Sequence, residues 1–504
     1  MFQPTKKLTG LELISHTQEL ARIDERIREL SEQREKIQAY ITPHKALISY
    51  PRRLPLDILE AIFLACLPTG RNAVMSAQEA PLLLCRICSG WRAAAISMPR
   101  LWASLHVPVS FILAKESRSS VVAQWLTRAA ACPLSLSIRE TPGNWNFQDY
   151  KNLAEASLVK SIAKSSTGWK KVELAGISSK MAIALAEINP MHLEWFTFTG
   201  SLDCLSRFSQ ILESPCLRVV NLYCDSELNL SLELPVAWHQ LTDLVLQIPG
   251  SRYSRSSDTI SLSNMILLVG RCHRLVSIRV AITDRELPFD YGALSAVLPF
   301  LESFSVPFDV VLPTWYLACI TDCISMPKIR HFHVPIAGQD FETELFPLPS
   351  VASRLPLIQD MTIHLGTLDP PRLLEALQAF PALTKLVVYA NVWYGRWDDL
   401  PEVPCGTTWI LECLADITVC PRLQELEVVK ADSLSKPILD AFLGARAGLE
   451  SSSRLRCLTV TFGSSWNDTQ YPEQFPTPTE TEFYLSHGLT VLFYQTHPPC
   501  SRSA

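Results

Sequence analysis

Residues 192–198 read HLEWFTF. Leu193 is followed by two other residues, then Phe196, one more residue and Phe198, so three large apolar side chains occupy a six-residue frame. The frame recurs in CLRVVNL (216–222), QLTDLVL (240–246), RLVSIRV (274–280), ALTKLVV (382–388) and RLQELEV (422–428). Eleven copies begin at Trp169, Leu193, Leu217, Leu241, Leu275, Leu301, Ile329, Ile358, Leu383, Leu423 and Leu455. Most intervals run from 24 to 34 residues and one reaches 40. Within each copy the last apolar pair alternates with other residues, as in a strand with one face buried and one face in solvent.

Self-similarity of this spacing is the mark of a repeat architecture, and L-x-x-L-x-L in a 20–29-residue unit is the leucine-rich-repeat signature. Segments ahead of several copies, RLLEALQAF (372–380) and TTWILECLADI (407–417), have helical apolar spacing, and Pro381 and Pro421 mark the turns that follow them. One such unit cannot bury its apolar face alone, so stacking is required. The expected fold is an α/β solenoid over 169–470, an arc with parallel inner strands and outer helices, with 108–168 connecting or capping it. Residues 471–504 form a C-terminal cap and tail, in which SHGLTVLFY (486–494) adds a last strand. Most copies lack the asparagine or cysteine usual after the last leucine, so the repeats resemble a degenerate rather than a regular leucine-rich array. The outward strand positions form a mixed surface that suits protein recognition better than an anionic polymer. They include Trp195, Val219, Tyr223, Arg279, His331, His333, Asp360, His364, Lys385, Tyr389, Glu425 and Glu427. Of these, Trp195, Tyr223, Arg279, His331, His333, His364 and Tyr389 are the candidate target-binding residues.

Upstream the periodicity changes. Leu13, Leu20, Ile27 and Ile41 share one heptad position, with Ile23, Leu30 and Ile37 at the second; His16 and Arg34 interrupt the seam. This spacing predicts one long helix over 11–41, supported by Asp24–Arg28 and Glu32–Lys36 pairs four residues apart. Pro43 is expected to end it, placing a boundary near residue 45. The seam either pairs with a second chain or folds back on its own domain.

Between helix and repeats lies RRLPLDILEAIFLACLP (52–68), where Pro55 opens a helix whose broad face holds Ile58, Leu59, Ile62, Phe63, Cys66 and Leu67. After a polar insert, Pro81 opens PLLLCRICSGWRAAAISMPRLW (81–102), with Leu84, Ile87, Cys88 and Trp91 at helical spacing. Together these segments predict two or three short helices around one small core. The ordered set Leu54, Pro55, Asp57, Ile58, Leu59, then Ile87, Cys88, Trp91 and Arg92, over residues 51–107, resembles the F-box, and more narrowly the fungal (basidiomycete-type) F-box proteins with a leading coiled-coil helix. Asp57 stands where that family usually has glutamate, and residues 68–80 make a longer connection than its commonest form. The resemblance implies docking onto a Skp-family adaptor, and through it a cullin–RING ubiquitin ligase. The implied docking residues are Leu54, Pro55, Ile58, Leu59, Ile62, Phe63, Ile87, Cys88 and Trp91, some of which will serve the module's own core.

Composition sets the outer limits. Hydrophobic residues make up 48% of the 504 and charged residues 19%, enough apolar material for a large folded core. A formal net charge of -5 supplies no basic field to draw nucleic acid or anionic lipid. The N-terminal MFQPTKKLTG leads into a charged helical pattern rather than an apolar signal segment, so an intracellular protein, cytoplasmic or nuclear, is expected. The fifteen cysteines then read as small buried hydrophobes, and the sequons at Asn229 and Asn467 as chance. Gly-rich phosphate loop, GxSxG elbow and HExxH helix are all missing, so no catalytic residue, cofactor or metal is expected. Cys85 and Cys88 form a lone CxxC, and His331, His333 and His364 read as polar residues on an exposed sheet face. The expected function is a substrate-recognition adaptor of a ubiquitin ligase, binding an unknown protein target; the alternative is an interaction scaffold with no ubiquitin role.

Overall fold

The computed structural model describes residues 10–47, 54–140, 148–224, 233–247, 260–282, 294–306, 314–334, 348–364, 374–375, 377–389, 407–431, 434–446, 455–462, 478–486 and 488–495. The sequons at Asn229 and Asn467 and the side chain of His364 lie outside the described residues. Two compact units are present: Met1–Ser104 with Arg128–Cys132, and Leu105–Thr127 with Pro133–Ala504.

The smaller unit begins with α1 (Gly10–Leu47). Pro43 does not end this helix, which runs four residues further. A proline in a helix removes one backbone hydrogen bond, and the helix continues past it here; next to it the Thr42 hydroxyl donates to Gln38 O at 2.7 Å. Along α1, Arg28 pairs with Glu25 at 2.5 Å rather than with Asp24, and Arg26 with Glu29 at 2.8 Å. Spacing of three serves these pairs as well as spacing of four, and all are exposed, so each contributes little. Leu20, Ile23, Ile27, Leu30 and Ile37 of the heptad seam are all exposed.

Then follow α2 (Leu56–Ala65), α3 (Leu84–Ile87) and α4 (Ser89–Ser97), closed by a single 3-10 turn Pro99–Trp102. Leu59, Phe63, Leu84, Ala95, Leu101 and Trp102 are buried. Phe63 meets Trp91 at 4.9 Å between ring centroids, and the indole of Trp102 donates to Ala95 O at 2.9 Å.

The larger unit is an α/β arrangement around one long parallel sheet. Its strands are β1 (Ser104–Pro108), β2 (Leu134–Arg139), β3 (Trp169–Ala175), β4 (Trp195–Gly200), β5 (Val219–Cys224), β6 (Asp243–Gln247) and β7 (Ser277–Val280). They continue, after the short β8 (Ala296–Val297), with β9 (Ser303–Ser305), and after the short β10 (Ile324–Ser325), with β11 (His331–His333). Then come β12 (Asp360–His364), β13 (Lys385–Tyr389), β14 (Glu425–Ala431), β15 (Cys457–Phe462) and β16 (Thr490–Gln495). Among the described residues fourteen strands form this sheet in sequence order, while β8 and β10 pair separately. The order runs from β1 to β16 without closing on itself.

All eleven six-residue frames are strands of this sheet. Their first apolar residues, such as Leu193, Leu217, Leu241 and Leu423, are buried just ahead of the strand, and the alternating pair inside it is buried as well. One hydrogen bond recurs at the same frame position: Glu194 N to Lys170 O, Arg218 N to Glu194 O, Thr242 N to Arg218 O, and on to Arg456 N to Gln424 O and Thr490 N to Arg456 O, all at 2.7–2.9 Å. Each frame thus satisfies the backbone groups of the one before it. Phe208, ahead of the short helix Ser209–Leu212, lies 6.4 Å from Phe196 and 6.0 Å from Phe198, so part of the core sits between sheet and helices. The sheet also takes in β1 and β2, ahead of the first counted frame, and β16 in the stretch expected to add a last strand.

Candidate functional surfaces

In the smaller unit the residues singled out for docking divide by burial. Leu59 and Phe63 are buried in the unit's own core, among those expected to serve its packing. Leu54, Cys88 and Trp91 are half-buried. Pro55, Ile58, Ile62 and Ile87 are exposed, and so are Leu56, Leu83 and Ile96, which the sequence reading did not single out. The helical spacing of α2 explains the division. Leu59 and Phe63 are four apart and share the inward face, whereas Ile58 and Ile62 lie one position back and turn away from it.

Cys88 has a local task. Its Sγ accepts from Trp91 N at 3.4 Å at the start of α4, the place where a side-chain acceptor satisfies an orphan amide. Arg92 donates from Nε to Cys85 O at 2.7 Å, and burial raises the pKa of the Cys85 thiol. Both cysteines are engaged in local packing and capping. The long connection over 68–80 is tied by Glu79, which accepts from Val74 N at 2.8 Å and pairs with Arg71 at 2.5 Å. The hydrogen bond from Arg71 lowers the pKa of Glu79. Ser104 Oγ, meeting Asn72 Oδ1 at 2.9 Å and Ala73 N at 3.2 Å, fixes the same connection.

On the larger unit, register places the outward residues in rows across the sheet. One row runs Lys171, Trp195, Val219, Asp243, Ser277, Ser303, His331, Asp360, Lys385, Glu425. The next runs Glu173, Thr197, Asn221, Val245, Arg279, Ser305, His333, Thr362, Val387, Glu427. Trp195 is exposed, with Lys171 Nζ 4.3 Å from its ring centroid and its indole donating to Thr197 Oγ1 at 3.0 Å. Tyr223 is half-buried and aligned with Thr199, one strand across and four residues along from Trp195, so those two aromatic residues do not adjoin. Arg279 is exposed, two strands from His333. Tyr389 is half-buried and in register with His364.

His331, His333 and Asp360 do come together. His331 Nδ1 lies 3.4 Å and His333 Nε2 3.6 Å from Asp360 Oδ2, and His333 Nδ1 is 2.7 Å from Thr362 Oγ1. Burial lowers the pKa of His333, against the Asp360 carboxylate, which raises it; His331, Arg279 and Lys385 add to the lowering. Asp360 Oδ1 is buried without a hydrogen-bond partner among the described residues.

No protein-family model matches the chain, and no curated protein matches it either. Neither surface is therefore read from a relative. Among the described residues no helix is long and apolar enough to cross a membrane.

One buried residue was not anticipated. Arg446, the last residue of the helix Lys436–Arg446, is fully buried. It donates to Leu414 O at 2.7 Å, Asp416 O at 3.0 Å, Cys420 O at 3.1 Å and also to Val419 O. These carbonyls close the helix Thr407–Ala415 and the turn after it, where a cation is favoured. Burial lowers the guanidinium's pKa.

Proposed function

We propose that the protein is a non-catalytic substrate-recognition adaptor of a Skp–cullin–F-box type ubiquitin ligase, intracellular, with the smaller unit docking a Skp-family adaptor and the larger unit binding a protein target. The observation that carries this reading is the division of apolar side chains in the smaller unit. A helical module that has already buried Leu59, Phe63, Leu84 and Trp102 still exposes Leu56, Ile58, Ile62, Leu83 and Ile87. Ile58 and Ile62 share one flank of α2, and exposed Ile and Leu side chains of this kind can supply an interface's affinity once desolvated. This face lies on the segments that resemble the F-box.

The larger unit is read as a degenerate leucine-rich-repeat solenoid. Eleven frames stacked in one register, with polar and aromatic residues alternating outward, support that reading and offer a long surface for a protein target. Neither nucleic acid nor membrane is a partner in this account, since the net charge is slightly negative. Co-expression with a Skp-family adaptor tests the proposal: a one-to-one complex by gel filtration is expected, and separate elution overturns it.

The exposed seam of α1 favours a further element, self-association through residues 11–41. It would serve equally a scaffold without a ubiquitin role, the second reading. That scaffold would bind its partners without adaptor capture and without their ubiquitination, so adaptor pull-down separates the two.

A further inference from the structure

We infer that His331, His333 and Asp360 form a binding site for a divalent transition-metal ion of the zinc class, on the outward face of β11 and β12. The two histidines alternate on one strand and so point to the same side, and parallel pairing sets Asp360 directly beside His331. Their three ligand atoms all lie within 4.8 Å of one another.

The separations accommodate a shared ion better than they do short hydrogen bonds. The carboxylate oxygen Asp360 Oδ2 is 3.4 Å from His331 Nδ1, a long hydrogen-bond contact, and 3.6 Å from His333 Nε2, beyond hydrogen-bond reach. Two ligand atoms of a tetrahedral zinc, each about 2.0–2.1 Å from the ion, stand about 3.3 Å apart. The oxygen is thus spaced from both rings as a shared ion requires. The other oxygen, Asp360 Oδ1, is buried and has no hydrogen-bond partner among the described residues, a costly state for a carboxylate oxygen.

The surroundings orient the ligands as well. With its proton on Nδ1, His333 donates to Thr362 Oγ1 at 2.7 Å and presents the Nε2 lone pair towards Asp360. Such an outer hydrogen bond fixes the tautomer and ring plane of a metal-bound imidazole. Two imidazoles and one carboxylate suit zinc and its neighbours rather than calcium or magnesium, which prefer oxygen donors. Three protein ligands leave a fourth position open to solvent. Arg279 and Lys385 bring positive charge to the same face; Lys385 is drawn to Glu425 at 3.5 Å, and Arg279 is exposed and screened.

The test uses the full chain, stripped with chelator and titrated with Zn2+ and, as a spectroscopic probe, Co2+. One equivalent is expected, with visible Co2+ bands and no thiolate charge-transfer band. His331→Ala/His333→Ala and Asp360→Asn should each lose that equivalent, while the remote His239→Ala keeps it. Thr362→Val, which keeps shape but removes the outer hydrogen bond, should weaken binding about 10–100-fold. His333→Gln repeats the test with side-chain bulk kept, and circular dichroism in chelator reports whether each variant is folded. Equal metal uptake by the native chain and the folded Asp360→Asn and His333→Gln variants would overturn the inference, as would a thiolate band showing that cysteines hold the ion. Adaptor binding is measured separately, so neither outcome bears on the ligase reading.

Discussion

At the scale of single residues, the partition of α2 makes a sharp distinction between two neighbouring leucine-like positions. Leu59→Ala empties a buried site and should destabilise the smaller unit by about 2–5 kcal/mol, seen as a lowered unfolding midpoint. Ile58→Ala/Ile62→Ala/Ile87→Ala touches exposed positions only, and should leave thermal stability nearly unchanged while sharply weakening adaptor capture in a pull-down. The motif named both kinds of residue together because it records which side chains are apolar, not which way the helix turns them. Arg446 shows the opposite difficulty. An arginine at a helix end reads as a solvated charge, and its burial depends on carbonyls some 26 to 32 residues earlier in the chain. Arg446→Met should cost about 3 kcal/mol by leaving those carbonyls unpaired, measured by denaturant unfolding. The cysteines, expected as buried hydrophobes, divide: Cys204, Cys224, Cys272, Cys323 and Cys420 are buried, and the other described ones are half-buried or exposed. Burial pushes the thiols of Cys272 and Cys420 up to about 12, whereas Cys66 and Cys216 are exposed. A thiol reagent near neutral pH should therefore label Cys66 and Cys216 in the native protein and reach Cys272 and Cys420 only after unfolding.

Among elements, the strands of the repeat were legible because each frame places three large side chains where the next frame can cover them. β2 escaped that reading because its apolar residues fall as Leu134, Leu136 and Ile138 instead of in the six-residue frame. β1 does carry the frame, in Trp102, Leu105 and Val107, but the first of these closes the helical module and the stretch was assigned there. α1 was legible as a helix from its heptads, and its far end was not, because one proline in 38 residues did not outweigh the rest of the helix. Its seam side chains from Leu20 to Ile37 are exposed, so the association proposed for it has a direct check. Ile23→Asp/Ile27→Asp puts charge into the centre of the seam and should convert a dimer to a monomer in light scattering, with the unfolding transition of the sheet unchanged.

For the whole molecule, the two units ask different questions of the same chain. The larger one holds its strands through contacts between neighbours, so a change at its outward face is expected to stay local. Trp195→Ala/Tyr223→Ala should therefore weaken target capture without altering adaptor binding, although the two residues lie on separate parts of the face. The α/β arrangement with its long parallel sheet was readable because it rests on repetition, which one sequence displays in full. The metal cluster was not, since His331 and Asp360 are 29 residues apart and meet only through strand register. The account stands or falls on the exposed apolar face of the smaller unit. Its most direct test is gel filtration with light scattering of the full chain co-expressed with a Skp-family adaptor. The account predicts a complex with one adaptor per chain, lost when Ile58, Ile62 and Ile87 are changed to alanine in a variant that remains folded. Separate elution of the two native proteins, or a complex undiminished by those three changes, would contradict it.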